Sequence, residues 1–188
     1  MRIVIGADHG GVRLKAEIIR FLEGQGNEVR NMGVDTEGSV DYPDIASRTC
    51  GEYGRGGYDF GILVCGTGLG VSIAANKIAG IRCGQVFDPY TARKARAHNN
   101  ANFIAFGGRV SYATPVTELI SVFMKTEVEG GRHERRVRKL AELEKRMSDS
   151  GARDPDTPGS EPKASGTSGS GSRTVPGPAA VSRLKTGS

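Results

Sequence analysis

A chain of 188 residues with 26 Lys and Arg against 21 Asp and Glu is long enough to bury one real core, and its three cysteines, none in C-x-x-C spacing, speak against a disulfide framework or a zinc site. No apolar run approaches the ~20 residues of a membrane span, and "MRIVIGADHGG" lacks the regions of a signal peptide, so a cytoplasmic protein without a membrane partner is expected. The net charge of +5 is concentrated in "ARKARAH" and "RHERRVRKLAELEKR", which suits solvated helix faces or a local anion site rather than nucleic acid.

Residues 1–147 alternate short β-branched runs with stretches of helical period. "RIVIGA" (2–7) is the first predicted strand and ends in Asp8-His9-Gly10-Gly11; "NEVRNM" (27–32) is the second, and Pro43 opens a helix after it. "FGILVC" (60–65) is apolar throughout, as a parallel strand covered on both faces requires. "IRCGQVF" (81–87) is followed by Asp88-Pro89, an N-cap with proline at the first helical position. "NFIAFG" (102–107) is followed by Gly107-Gly108-Arg109, and Thr114-Pro115 reads as a second cap of the same kind. After Gly130-Gly131 a last helix, residues 132–147, has few apolar positions and is expected to cover an edge or a partner. The fold class is therefore α/β: a Rossmann-like three-layer α/β/α sandwich on a five-stranded parallel sheet, with an extra C-terminal helix. Residues 148–188 hold five of the eight prolines, much Gly and Ser and no aromatic residue. Such a segment buries too little to offset roughly 1–2 kcal/mol of backbone entropy per ordered residue, so a disordered tail is expected.

In such sheets ligands bind at the carboxyl ends of the strands. That rule selects Asp8 to Gly11, Cys65 to Gly70, Asp88, and Gly107 to Arg109, all on one rim. The "GTGLG" loop, Gly66, Thr67, Gly68, Leu69 and Gly70, lets backbone amides converge on an anion at a helix start. It is not a P-loop, since no Lys-Ser or Lys-Thr follows, nor a phosphatase-type loop, since Val71 stands where the arginine belongs. A dinucleotide-binding module stays open, because Asp88 ends the next strand about 20 residues on. Cys50 and Cys83 read as buried small hydrophobes, whereas Cys65 sits at a strand end beside a helix start, where a thiolate is favoured and can shuttle a proton. Of the histidines, His9 and His98 are assigned to the rim near the thiol and His133 to solvent. Arg132 and Arg136, four apart, share a helix face and can grip one phosphate.

Together, "GADHGG", "DYPD", "CGTGLGVSIAANKIAGIRC", "HNNANFIAFGGR" and "EGGRHERRV", in that order, resemble ribose-5-phosphate isomerase B and the wider family that includes galactose-6-phosphate isomerase subunits. The resemblance covers residues 1–147. It implies interconversion of ribose 5-phosphate and ribulose 5-phosphate through an enediolate, without metal or organic cofactor. It makes Cys65 the base and His98 the acid of ring opening. Asp8, His9, the loop from Gly66 to Gly70, Asn99, Arg109, Arg132 and Arg136 become the substrate-binding set. One branch of the family replaces the cysteine by a glutamate at the position of Val71, which here can take no proton. The resemblance further implies a homodimer, or a tetramer built from it, with His98 and Asn99 supplied by the neighbour. A six-carbon sugar phosphate, galactose 6-phosphate or allose 6-phosphate, is the alternative substrate.

Overall fold

The five expected strand runs become five parallel strands in a computed structural model that describes residues 1–36 and 38–149. They are β1 (Arg2–Ala7), β2 (Glu28–Asn31), β3 (Phe60–Cys65), β4 (Cys83–Gln85) and β5 (Phe103–Gly107), in the order β2-β1-β3-β5-β4. The helices are α1 (Val12–Gly24), α2 (Tyr42–Gly54), α3 (Leu69–Ala75), α4 (Pro89–Asn99), α5 (Val116–Lys125) and α6 (Arg132–Asp149). The expected α/β architecture, with its extra C-terminal helix, is present. Of the tail expected from residue 148, Ser148 and Asp149 belong to α6, and the rest lies outside the described residues.

Alternation along the strands divides the core between two layers. Ile3, Ile5, Ile62, Val64, Ile104 and Phe106 pack with α1, α4 and α5, while Val4, Leu63, Cys65, Phe103 and Ala105 pack with α2 and α3. All six residues of β3 are buried. Lys15 of α1 is buried too, and its ammonium donates to Asn31 Oδ1 (2.9 Å), the Val34 carbonyl (2.7 Å) and Asp35 Oδ1 (2.6 Å). These bonds tie α1 to the turn after β2, and with Asn31 they hold the Asp35 carboxyl below its ordinary range.

Helix starts follow the sequence with one exception. Asp88 caps α4 through a capping box, accepting from the Thr91 amide at 2.7 Å while the Thr91 hydroxyl accepts from the Asp88 amide. Pro43 lies in the first turn of α2. Thr114 is not the cap of α5: Pro115, at ψ 137°, is still extended, so the helix starts at Val116.

Strand order places the reversal between β1 and β3, the crevice where the loops after neighbouring strands diverge. Cys65 pairs with Gly107 at the carboxyl edge, whereas Phe103 pairs with Gly61 and Cys83 at the amino edge. α4 starts at the first edge and hands over to β5 at the second. Its 11 residues at about 1.5 Å rise each span the sheet.

Candidate active site

The rim is assembled by backbone contact. The Gly108 amide donates to the Cys65 carbonyl at 2.7 Å, the Arg109 amide to the Gly66 carbonyl at 3.0 Å, and the Asp8 amide to the Val64 carbonyl at 3.1 Å. A side chain on Gly10 would come within 2.9 Å of Gly66 Cα, and one on Gly108 would collide with the Gly10 carbonyl. The loops after β1, β3 and β5 therefore touch main chain to main chain, which only glycine permits there.

Cys65 ends β3 with its sulfur 3.1 Å from the Gly68 amide, which donates to it. Gly68 adopts φ 80°, the left-handed region, and caps α3 from there. That conformation turns its N–H back onto the sulfur. Burial pushes both the Cys50 and Cys83 thiols up to about 12, in Cys83 against a hydrogen bond from the Ser72 side chain. All three are free thiols.

Asp8 is buried and its Oδ1 accepts from the Gly10 amide at 2.8 Å, fixing the turn that presents His9. The Val40 amide donates to His9 Nδ1 at 3.4 Å, which leaves Nε2 as the proton-bearing nitrogen of the neutral ring. The side chain of Arg109 runs within 4 Å of the space above Gly66. His9 and Arg109 line one cavity with Gly10, Val12, Arg13 and Gly108. Thr67 is fixed by Gln85, whose Nε2 donates to the Thr67 carbonyl at 2.8 Å.

The chain thus brings Asp8, His9, Cys65, the loop Gly66 to Gly70 and Arg109 together. It does not bring His98, Asn99, Arg132 or Arg136 to them. The assignment of His98 to the rim is corrected: α4 carries it to the amino edge, where the Glu129 amide donates to the Ala97 carbonyl at 2.9 Å. There His98 stacks on His133, ring centroids 3.8 Å apart and planes 17° from parallel. The Glu129 carboxylate lies 3.5 Å from His98 Nε2 and 3.4 Å from His133 Nε2. The Lys94 ammonium stands 3.0 Å from His98 Nε2, so that nitrogen sits between a donor and an acceptor.

His133 is not solvated as expected but 5% exposed, because α6 packs onto the end of α4. Burial first, then the neighbouring His98 and Arg132, pushes its pKa down against the pull of Glu129, and Arg132 Nε donates to its Nε2 at 3.2 Å. His98, Glu129 and His133 hold their ligand atoms within 4.8 Å of one another. The Lys94 ammonium beside His98 Nε2 disfavours a cation there.

Sequence reasoning missed Arg13, Gln85, Tyr112 and Glu129. Tyr112 accepts from the Gly107 amide at 2.8 Å and so braces the loop of Arg109. Asp88, the residue that kept a dinucleotide site open, has its carboxylate engaged by the capping box.

The ribose/galactose isomerase family model matches residues 3–140. Ribose-5-phosphate isomerase B of Escherichia coli is 41% identical over 147 residues, 78% of this chain and 99% of that protein. D-erythrulose-4-phosphate isomerase of Pectobacterium atrosepticum is 39% identical, over 77% of this chain and 95% of its own. The solved ribose-5-phosphate isomerase B of Clostridium thermocellum superposes with a TM-score of 0.76 at 46% identity, covering 78% of this chain and 99% of that one.

Proposed function

The chain belongs to the ribose/galactose isomerase family, and we infer from that membership that it interconverts D-ribose 5-phosphate and D-ribulose 5-phosphate by moving one proton between C1 and C2. The observation that carries the chemistry is the Cys65 sulfur at the end of β3, receiving the Gly68 amide at 3.1 Å beside the glycine loop.

In this reading the Cys65 thiolate removes the C2 proton of the open-chain aldose. The C2–H electron pair becomes the C1–C2 double bond, and the C1 carbonyl oxygen takes the negative charge of an enediolate. Amides of the loop from Gly66 to Gly70 stabilise that charge where it develops. Cys65 returns the proton to C1, C2 becomes the ketone, and the hydroxyl proton passes from O2 to O1. Asp8 holds the rim turn, and His9 with Arg109 binds the phosphate at the far end of the sugar. The reading needs no cofactor.

Ring opening requires an acid, and on the rim His9 is committed to the phosphate in this reading. His98, between Lys94 and Glu129, is that acid in our reading, delivered with Asn99, Arg132 and Arg136 by a second copy. Exposed apolar side chains beside the β4 edge, Ile73, Phe87 and Tyr90, give such a copy a surface to pack on. Three free thiols fit a reducing cytoplasm as the place of action.

Proton NMR in D2O tests the reaction: ribose 5-phosphate should lose its C2 proton signal and ribulose 5-phosphate should carry deuterium at C1. Failure to convert ribose 5-phosphate to ribulose 5-phosphate would overturn the reading. The erythrulose relative makes sugar length the open choice, so competition among four-, five- and six-carbon phosphates should give the largest kcat/KM for the pentose.

A further inference from the structure

Between the turn after β1 and the loop after β5 lies a cavity of about 330 Å³ lined by His9, Gly10, Val12, Arg13, Gly108 and Arg109. Three of these six carry or can carry positive charge, none carries negative charge, and the three reach the cavity from separate places. His9 comes from the turn after β1, Arg13 from the first turn of α1, and Arg109 from the loop after β5. The family resemblance assigns His9 and Arg109 and leaves Arg13 without a role.

We propose that Arg13 is a third ligand of the substrate phosphate and a determinant of selectivity for phosphorylated sugars, an inference that rests on the isomerase reading above. A phosphate monoester presents three terminal oxygens. His9 has its Nδ1 engaged by the Val40 amide and offers Nε2, and Arg109 is anchored by its amide on Gly66. The three oxygens together accept more hydrogen bonds than His9 and Arg109 donate, so the cavity has room for a further donor beside them and any that a second copy adds. Arg13 supplies the third donor group from a helix, where its backbone is fixed. A guanidinium is charged at every working pH and binds phosphate oxygens through a planar fork of donors. The cavity therefore keeps two permanent cations whatever the protonation of His9.

The test uses the full chain, with ribose 5-phosphate as substrate and inorganic phosphate as a competitive probe. Arg13→Gln should raise both KM and the inhibition constant of phosphate about tenfold, the scale of one charge-assisted contact. The loss should fall on these rather than on kcat. Arg13→Lys, which keeps the charge and loses the fork, should recover part of it. Phosphate affinity within twofold of wild type in Arg13→Gln would overturn the proposal. So would a fall in kcat and melting temperature with phosphate affinity intact, which marks a merely structural residue. Calorimetric phosphate binding judges Arg13 independently of turnover: if the wild-type chain turns over no ribose 5-phosphate, the isomerase reading fails while the Arg13 contact is still decided by that titration.

Discussion

Mixing two inactive variants, Cys65→Ala and His98→Asn, puts the shared-site reading at risk. In one chain the two side chains belong to opposite edges of the sheet. Cys65 pairs with Gly107 at the end of β5, and α4 must run its 11 residues back before β5 begins. At about 1.5 Å per residue that is a span of roughly 15 Å, against the ~3 Å a proton transfer requires. No side-chain rotation closes such a gap, so the proposed pairing of Cys65 as base with His98 as acid takes Cys65 from one copy and His98 from another. Each variant alone should fall below about 1% of wild-type turnover of the furanose form, since acid–base groups contribute about 10²–10⁴-fold. When equal amounts are unfolded together and refolded, half the dimers are mixed. Each mixed dimer holds one site carrying both substitutions and one intact site. The mixture should therefore recover about a quarter of wild-type activity. Native mass spectrometry of a mass-tagged pair verifies the exchange. A mixture with heterodimers present and no activity above the sum of its parents would refute the reasoning, placing both groups in one chain's own site.

Three further outcomes follow from the same geometry. Iodoacetamide at pH 7.5 should alkylate Cys65 alone and ribose 5-phosphate should protect it, because burial holds Cys50 and Cys83 up to about 12; peptide mass spectrometry showing either of these modified as fast as Cys65 would contradict this. Gly68→Ala forces an alanine into φ 80° with its Cβ 2.9 Å from Gln85 Nε2 and the Phe106 carbonyl carbon. At about 1–2 kcal/mol for the backbone alone the melting temperature should drop by about 5 °C and kcat should fall about tenfold as the donor to Cys65 shifts. His133, its pKa pushed down chiefly by burial, should stay neutral at pH values where a free imidazole is already charged. Its contribution to stability is thus present above about pH 6.5, the unfolded value, and lost as pH falls through the lower folded value. A histidine-specific NMR titration placing its midpoint above that of an unfolded peptide would reverse the sign.

Strand positions were legible because each is a short β-branched run bounded by turn residues, and β3 announced its central place by having no polar residue at all. The cap at Asp88 was legible from Asp-Pro alone, whereas Thr114-Pro115 was not: the same dipeptide pattern leaves proline extended when the turn before it has no box to close. The rim set from Asp8 to Arg109 was legible because a parallel sheet puts every strand's carboxyl end on one side. The burial of His133 was not, since it depends on α6 lying across the end of α4, and the charges around it read as a solvated helix. Arg13 was invisible for a related reason. On the pattern of α1 it is one exposed charge among several, and only the fold sets it beside Arg109.

The division of residues between the two edges follows from the topology rather than from the chemistry. In a parallel sheet every helix returns the chain to the amino edge, so side chains at helix ends accumulate opposite the rim, as His98, Asn99, Arg132 and His133 do here. A single copy can therefore build a base and an anion cup on its rim but cannot add a group from α4 without a long excursion of chain. In the shared-site reading proposed above, association of two copies solves this with no new loop, and each rim site stays open until a partner's edge covers it. The close backbone contact of Gly10, Gly66 and Gly108 has a matching purpose. It fixes Cys65 and Arg109 relative to each other by main-chain bonds, so that in the proposed reading the span from base to phosphate is set by rigid parts.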